Sequence, residues 1–532
     1  MTSHNRPTYW SKRGGPEGPW DTIVIGSGMG GMTTAGLLTR CGHKVLVLEQ
    51  HYVPGGFTHA FTRGKYQWDV GVHAIGEVTT RSLLGRILHD LTGGGLQWET
   101  LGPVYDEFHY PDLRIDYPDS PHQFRANLIE AFPDEVEAID DYLARVAEVA
   151  RTMKSFLRSR SLPPSWWGKT LGRWMSRGSA GVFEKSCQEV LDEITPNKRL
   201  QAVLTSQWAY HGSPPSRASF AIQALVTRHF LHGAWYPRGG APEIARQMLR
   251  AISEAGGWTR IRADVEEILI ENQKAVGVRL ADGEEIRAGR VVSAAGVMST
   301  TRRLLPDHID TTWARSVQDL DPGPAHVCLY LGFKGDIRSA GAGAANKWFY
   351  ETWELDAGHW VVNSTQDLEP SPVLYCSFPS LKDPDHDPGP EQFHTGEAVT
   401  FVPWEVFEPW RDGSWKQREP EYEAFKKRIT DCLLAQLLSH MPELEPMVDF
   451  VELSTPLSTD HFCRPIRGSI YGIEPTPARF RCEALRAHTP IKNLYFSGSE
   501  VATVGVMGAM AGGMVAAMAV EPIRVGRYMG KL

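Results

Sequence analysis

The chain contains no C-x-x-C pair. Its cysteines, Cys41, Cys187, Cys328, Cys376, Cys432, Cys463 and Cys482, are scattered singly, so neither a zinc site nor a disulfide framework is expected, and a reducing, cytoplasmic setting is. A basic excess is also missing. There are 55 Lys and Arg against 63 Asp and Glu, a formal net charge of −8, which offers no electrostatic footprint for nucleic acid. No H-E-x-x-H, no paired-carboxylate spacing and no serine, histidine and acid grouping occurs, arguing against a metal centre and against hydrolysis. The opening residues M-T-S-H-N-R-P-T-Y-W lack the apolar core of an export signal, so export is not expected. One long run lacks charge, Val501 to Val520, but Gly505, Gly508, Gly512, Gly513 and many alanines leave it only mildly apolar. Its length would span a bilayer, yet a buried helix is the better reading.

What is present begins at Thr22. The segment T-I-V-I-G-S-G-M-G-G sets an apolar strand against Gly26, Gly28 and Gly31, and a second apolar strand, Lys44 to Leu48, runs into Glu49. Gly26 permits the tight turn, Gly28 lets backbone N–H groups approach a pyrophosphate, and Gly31 lets the following helix pack on the strand. The diphosphate then meets the positive end of that helix. Glu49 lies 18 residues past Gly31, near the spacing of about 20 at which a carboxylate reaches ribose hydroxyls. No arginine stands there to favour a 2′-phosphate. Gly55 and Gly56 follow, placed for a second close backbone approach.

A chain of 532 residues implies roughly two to four domains. Val136, Ile139, Leu143, Val146, Ala150, Met153 and Leu157 form one helical stripe, and Ile244, Met248 and Ile252 another. A strand meander is expected over Asp264–Ile270, Ala275–Leu280, Glu285–Arg287 and Arg290–Ala294, with further strands at His326–Phe333, Val373–Phe378, Ala398–Val402 and Asn493–Phe496 and a helix at Tyr422–Leu438. Nucleotide-binding pieces thus recur near the start, middle and end. The expected division is a cofactor domain over 20–100, 233–310 and 456–532, interrupted by a substrate domain whose 101–232 part is helical and whose 311–455 part is a sheet. A nicotinamide dehydrogenase rarely returns to its sheet three times, whereas a flavoprotein needs that extra backbone.

Together V-I-G-S-G-M-G-G, L-E-Q-H-Y-V-P-G-G, W-D-V-G-V-H-A-I-G, W-Y-P-R-G-G, V-V-S-A-A-G, F-P-S-L-K-D-P, R-G-S-I-Y-G and L-Y-F-S-G-S-E-V-A-T-V-G-V-M-G-A-M resemble the retinol saturase family. Its wider kin are the carotenoid isomerases and phytoene desaturases. The resemblance runs from about Asp21 to Val520 and implies an α/β fold: a Rossmann-like FAD-binding domain of the amine-oxidase-like superfamily, interrupted by a mixed α+β substrate domain. It further implies FAD, a long apolar polyene or isoprenoid substrate, and hydride exchange at flavin N5, so that a C=C bond is saturated. Desaturation, cis-trans isomerisation, or prenyl binding without flavin chemistry, as in Rab GDP-dissociation inhibitors, are the alternatives.

Carried over by that resemblance, Gly26, Gly28 and Gly31 cradle the diphosphate, Glu49 holds the adenosine ribose, and Gly55 and Gly56 pass close to the cofactor. Val265 meets the adenine through its backbone, Gly498 and Glu500 face the diphosphate and ribityl chain, and the helix after Gly505 aims its N-terminus at the flavin pyrimidine edge. The family usually has Gly-Gln-Asp where this chain has Gly498-Ser499-Glu500, one methylene longer. His73 and Tyr471 are the candidate proton donors, against readings as a structural histidine and an aromatic tunnel wall. Tyr236 and Arg238 read as bracing, and His211 carries little weight. No second nucleotide domain is apparent, so electrons would come from NAD(P)H visiting the flavin face, a partner protein or a quinone. Between Lys154 and Lys185, seven basic residues and one acid accompany Trp166, Trp167, Leu171, Trp174 and Met175, a composition suited to a helix lying in a membrane interface or to a basic surface helix packed by its tryptophans.

Overall fold

A computed structural model describes residues 9–163, 170, 181–354, 356, 360–363 and 365–532. Its centre is the apolar strand Trp20–Ile25, whose Ile23 and Val24 are wholly buried. Val45–Glu49 pairs with it on one side and the second half of Glu285–Ser293 on the other, both parallel. Trp258–Ile261 extends the sheet beyond Val45–Glu49, and Leu494–Phe496 joins at Val291–Ser293. The β-branched runs suit a sheet covered on both faces. At Glu285–Arg287 the same long strand turns into an antiparallel meander with Lys274–Leu280 and Val265–Glu271. One sheet therefore collects strands from the start, middle and end of the chain.

The helices Met29–Arg40 and Gly505–Val520 lie together on this sheet. Their approach is backbone on backbone. A β-carbon on Gly30 would stand 2.5 Å from Gly498 Cα, and one on Gly512 would overlap the Gly498 carbonyl oxygen. The charge-free stretch is thus a core helix, buried along most of its length. Among the described residues no helix is long and apolar enough to cross a membrane. The tryptophans of the expected interfacial helix, Trp166, Trp167 and Trp174, lie outside the described residues.

A second sheet of seven strands runs in the order Val448–Ser454, Ala325–Lys334, Phe393–Val402, Val373–Ser377, Asn346–Tyr350, Val104–Tyr110, Leu113–Pro118. All its pairings are antiparallel except that of Asn346–Tyr350 with Val104–Tyr110. Here the sequence reading needs correction, because the 101–232 stretch, expected to be helical, supplies two strands. Both interleave aromatics with Asp, Glu and Arg, and Asp106 finds its partner Asn346 across some 240 residues; such pairing leaves no local signature. Asn346–Tyr350 and Val448–Ser454 were likewise not anticipated. The helix Val136–Arg160 also presents a face rotated from the expected one. Tyr142 is buried and Leu143 half-buried, since the Tyr142 hydroxyl meets the Leu204 carbonyl at 2.9 Å and Thr227 Oγ1 at 2.8 Å.

Gly512→Ala forces a β-carbon into the Gly498 carbonyl, and overpacking of this kind costs about 1–3 kcal/mol. The variant is expected to melt earlier and to retain less flavin, measured by thermal denaturation and by the ratio of flavin to protein absorbance.

Candidate active site

One cavity of about 700 Å³ runs from the glycine turn at Gly26 and Gly28 to the inner face of the second sheet. At its first end, β-carbons on Gly28, Gly498 and Gly505 would meet nothing within 4 Å, and these three glycines line the cavity. Gly26 turns at φ +95°. Gly31 is not part of the wall: a β-carbon there would overlap the Gly26 carbonyl oxygen, so it serves helix–strand packing. Gly55, Gly56, Glu49, Val265 and Glu500 line the same space, and Gly56 approaches so closely that its β-carbon would sit 3.0 Å from Gly28 Cα. The two helices starting at Met29 and Gly505 both begin at this cavity, so two sets of free N–H groups and two positive dipole ends face it. A dinucleotide with an anionic middle fits such a rim.

The two acids are held differently. Glu49 Oε2 accepts from Ser27 N at 2.9 Å and Ser27 Oγ at 2.6 Å, and Oε1 from His51 N at 2.8 Å; an ionised carboxylate keeps lone pairs free beyond these. Glu500 Oε2 accepts from Val297 N at 2.5 Å and Met298 N at 3.2 Å, which ties the last chain segment to the turn after the middle strand. Burial raises the Glu500 acid above the usual range, against the pull of Arg479.

The far end is built by alternation across the second sheet. Phe108, Trp348, Tyr375, Val399 and Cys328 stand in one cross-strand row. In the adjacent row, two residues along each strand, come Asp106, Asn346, Ser377, Glu397 and Tyr330. Trp348 and Tyr375 of the first row, with Phe401 and Tyr210, give the chamber an aromatic lining. The second is a buried polar row; Glu397 does not line the cavity, whereas His73, 18% exposed, does, its Nδ1 2.7 Å from Glu397 Oε2.

His73 and Tyr471 both line this chamber. Burial, reinforced by the Lys382 cation, pulls His73 down to about 3, so its imidazole is neutral. The Tyr471 hydroxyl donates to the Ala209 carbonyl at 3.2 Å, and burial pushes its pKa up. Tyr236 donates to Asp69 and is buried, while Arg238 pairs with Asp385 at the surface, 2.9 Å away. His211 is structural: Ser213 N donates to Nδ1 at 3.3 Å, which fixes Nε2–H toward Gln223 Oε1 at 3.1 Å. Sequence reasoning overlooked Glu397, Lys382, Asp69 and Asp106. Lys382 stood inside the quoted F-P-S-L-K-D-P, and Glu397 one residue before an expected strand; neither acquires meaning until the sheet brings them together. Among the described residues no cluster suits a metal ion.

A two-sheet molecule whose Rossmann-type half opens a glycine rim into an aromatic chamber is an FAD-dependent oxidoreductase by fold and by site. The chain belongs to the family of flavin containing amine oxidoreductases, whose model matches residues 29–521. It is 33% identical over 516 residues to an all-trans-retinol 13,14-reductase of Danio rerio, covering 93% of this chain and 84% of that protein. To a chloroplastic prolycopene isomerase of Daucus carota it is 27% identical over 521 residues, covering 94% and 80%. A structure of putrescine oxidase bound to putrescine superposes with a TM-score of 0.61 at 15% identity, covering 95% and 99% of the two chains.

His211 and His326 are buried neutral histidines, drawn from 6.5 to about 4 by burial. A base with a depressed folded pKa contributes stability that is fully present above its unfolded value and is lost as pH falls toward the folded one. Melting temperature is therefore expected to drop between pH 6.5 and 4, and His326→Gln to flatten that drop, read by calorimetry across the window.

Proposed function

We propose that this protein saturates a C=C bond of a retinoid, carotenoid or similar long apolar polyene. The observation that carries the reading is the continuity of one cavity, glycine-rimmed at one end and walled by Trp348, Tyr375 and Phe401 at the other. Its volume lies within the range of about 300–1,000 Å³ usual for ligand sites. The similarity to the retinol reductase and the carotenoid isomerase supports the substrate class.

The residues divide the work by position. Gly26, Gly28 and the helix start at Met29 would hold the diphosphate, Glu49 the ribose, and Val265 the adenine, while Gly498 and Glu500 would face the diphosphate and ribityl chain and the helix start at Gly505 the flavin ring. Bound FAD supplies the hydride equivalent. The aromatic wall flattens and aligns a conjugated chain and excludes water. His73 delivers the proton that completes saturation, and Tyr471, whose hydroxyl is committed to Ala209, serves as wall. NAD(P)H would serve as electron donor, with a partner protein or a quinone as the alternatives. The basic, tryptophan-rich 154–185 segment docks on a bilayer, from which the polyene is drawn without crossing water.

The test is anaerobic reduction of the holoprotein followed by a panel of retinoids and carotenoids and mass analysis. A gain of two mass units is expected. A loss of two under oxidising conditions would indicate desaturation, and an unchanged mass with shifted retention would favour the isomerase reading that the Daucus carota relative motivates. His73→Asn should lower the saturation rate by roughly 10²–10⁴-fold, the usual share of a general acid, with Tyr471→Phe falling short of that range.

A further inference from the structure

Behind His73 the polar row forms a closed set of charges whose members can be assigned by counting donors. Lys382, only 3% exposed, directs Nζ to His73 O and Ser377 Oγ, each at 2.7 Å, and to Asn346 Oδ1 at 2.5 Å. Three acceptors match the three N–H groups of an ammonium. Asn346 passes that charge on, since its Nδ2 donates to Asp106 Oδ1 at 2.9 Å. Asp106 accepts further from Gln207 Nε2 at 3.0 Å and Tyr210 OH at 2.9 Å, and three donors together stabilise an anion. The Lys382 cation is thereby matched, through Asn346, to the carboxylate of this row that accepts three side-chain hydrogen bonds, which oppose the rise that burial imposes on the Asp106 acid.

Glu397 is left over. Its side chain has no exposed surface, and neither oxygen accepts a side-chain hydrogen bond among the described residues. Nδ1 of His73 lies 2.7 Å from Oε2, at hydrogen-bonding distance though off the angle of a linear bond, and the Asp69 backbone also lies against the carboxyl. Asp69 stands close by, receiving the Tyr236 hydroxyl and, at 3.3 Å, Ala241 N. A second uncompensated anion here would cost several kcal/mol, so Glu397 carries a proton. The other titratable groups facing it are Tyr330 and Cys328 across one strand and Tyr375 across the other, with His326 facing His73. None of these supplies a positive charge. Burial raises both Glu397 and Asp69 as acids, while the Lys382 cation opposes the rise at Glu397, and burial brings Lys382 down to about 7.

We propose that Glu397 is the proton reservoir of this site: its acidic hydrogen lies against Nδ1 of His73, so the imidazole gives its Nε2 proton to the substrate carbon and is refilled from behind. This rests on the saturase reading given above. The balance is simple. The C=C π pair accepts the Nε2 proton at one carbon, and a hydride equivalent from reduced flavin, which is oxidised by two electrons, adds at the other. The Glu397 O–H bond breaks as an Nδ1–H bond forms, leaving neutral imidazole of the other tautomer and a Glu397 carboxylate within the field of Lys382. Because Glu397 has no surface of its own, its proton returns from solvent by the same route through His73 once product has left. Glu397 is accordingly a positioning residue that acts through His73, and Lys382 fixes the loop that carries it by holding the His73 carbonyl.

The test combines infrared spectroscopy and kinetics on the full-length holoprotein. With ¹³C-labelled glutamate, the wild type at pH 7 should show the isotope-shifted C=O stretch of a protonated carboxyl, lost in Glu397→Gln, while flavin content and melting temperature remain near wild type. Anaerobic single turnovers of the reduced holoprotein with a polyene should slow by roughly 10²–10⁴-fold in Glu397→Gln, and the alkaline fall of the wild-type rate should disappear with it. No labelled carboxyl band at pH 7 in the wild type overturns the proposal, a result that needs no variant to fold. A Glu397→Gln enzyme with the wild-type rate and pH profile overturns it too. A wild type that shows the band yet saturates no polyene overturns the substrate reading instead.

Discussion

Backbone rests on backbone where Gly30, Gly498 and Gly512 meet, and the rest of the molecule depends on that contact. It joins a helix from the first segment to the turn and helix of the last, with no side chain between. Two helix starts are thereby brought to one rim, and the cavity between them stays open because Gly28, Gly498 and Gly505 put nothing into it. Affinity for an anionic dinucleotide follows from this arrangement of N–H groups and dipoles. It also explains why a stretch of twenty residues without charge belongs in the interior: its glycines and alanines are chosen for closeness, not for contact with lipid.

The second sheet adds what the first cannot. Strand alternation places an aromatic row and a polar row side by side, two residues apart on every strand. The aromatic row suits a flat apolar chain, and the polar row stores charge out of reach of water. His73 comes from neither row but from the loop after Asp69, and Lys382 holds it by its carbonyl oxygen. A dry chamber with one neutral imidazole at its edge is a setting in which proton delivery is controlled by the protein and not by bulk solvent.

Local chemistry made the cofactor half legible. The glycine turn, the acid ending the second strand and the returning strands at Val291 and Leu494 each have short-range signatures, and the fold class follows from them. The three returns to one sheet already favoured a flavoprotein, and the family resemblance supplied what spacing alone does not, namely the polyene. The strands Val104–Tyr110 and Asn346–Tyr350 escaped because inward-pointing Asp106 and Asn346 break the apolar alternation by which a strand is recognised, and they do so for the polar row. The face of Val136–Arg160 was misjudged because Tyr142 reads as half-polar until its hydroxyl finds Leu204 and Thr227. Glu397 and Lys382 were invisible for the same reason: a buried charge is recognisable only when its partners, distant in sequence, are in place.

The central claim is that cofactor and polyene share one cavity, ring end against aromatic wall. A crystal structure of the holoprotein with a saturated polyene bound tests it most directly. The account predicts FAD along the Gly28–Gly498–Gly505 rim and the hydrocarbon chain against Trp348, Tyr375 and Phe401, with His73 beside the saturated carbons. A chain bound elsewhere on the protein, or a chamber closed by side chains once flavin is in place, would contradict it.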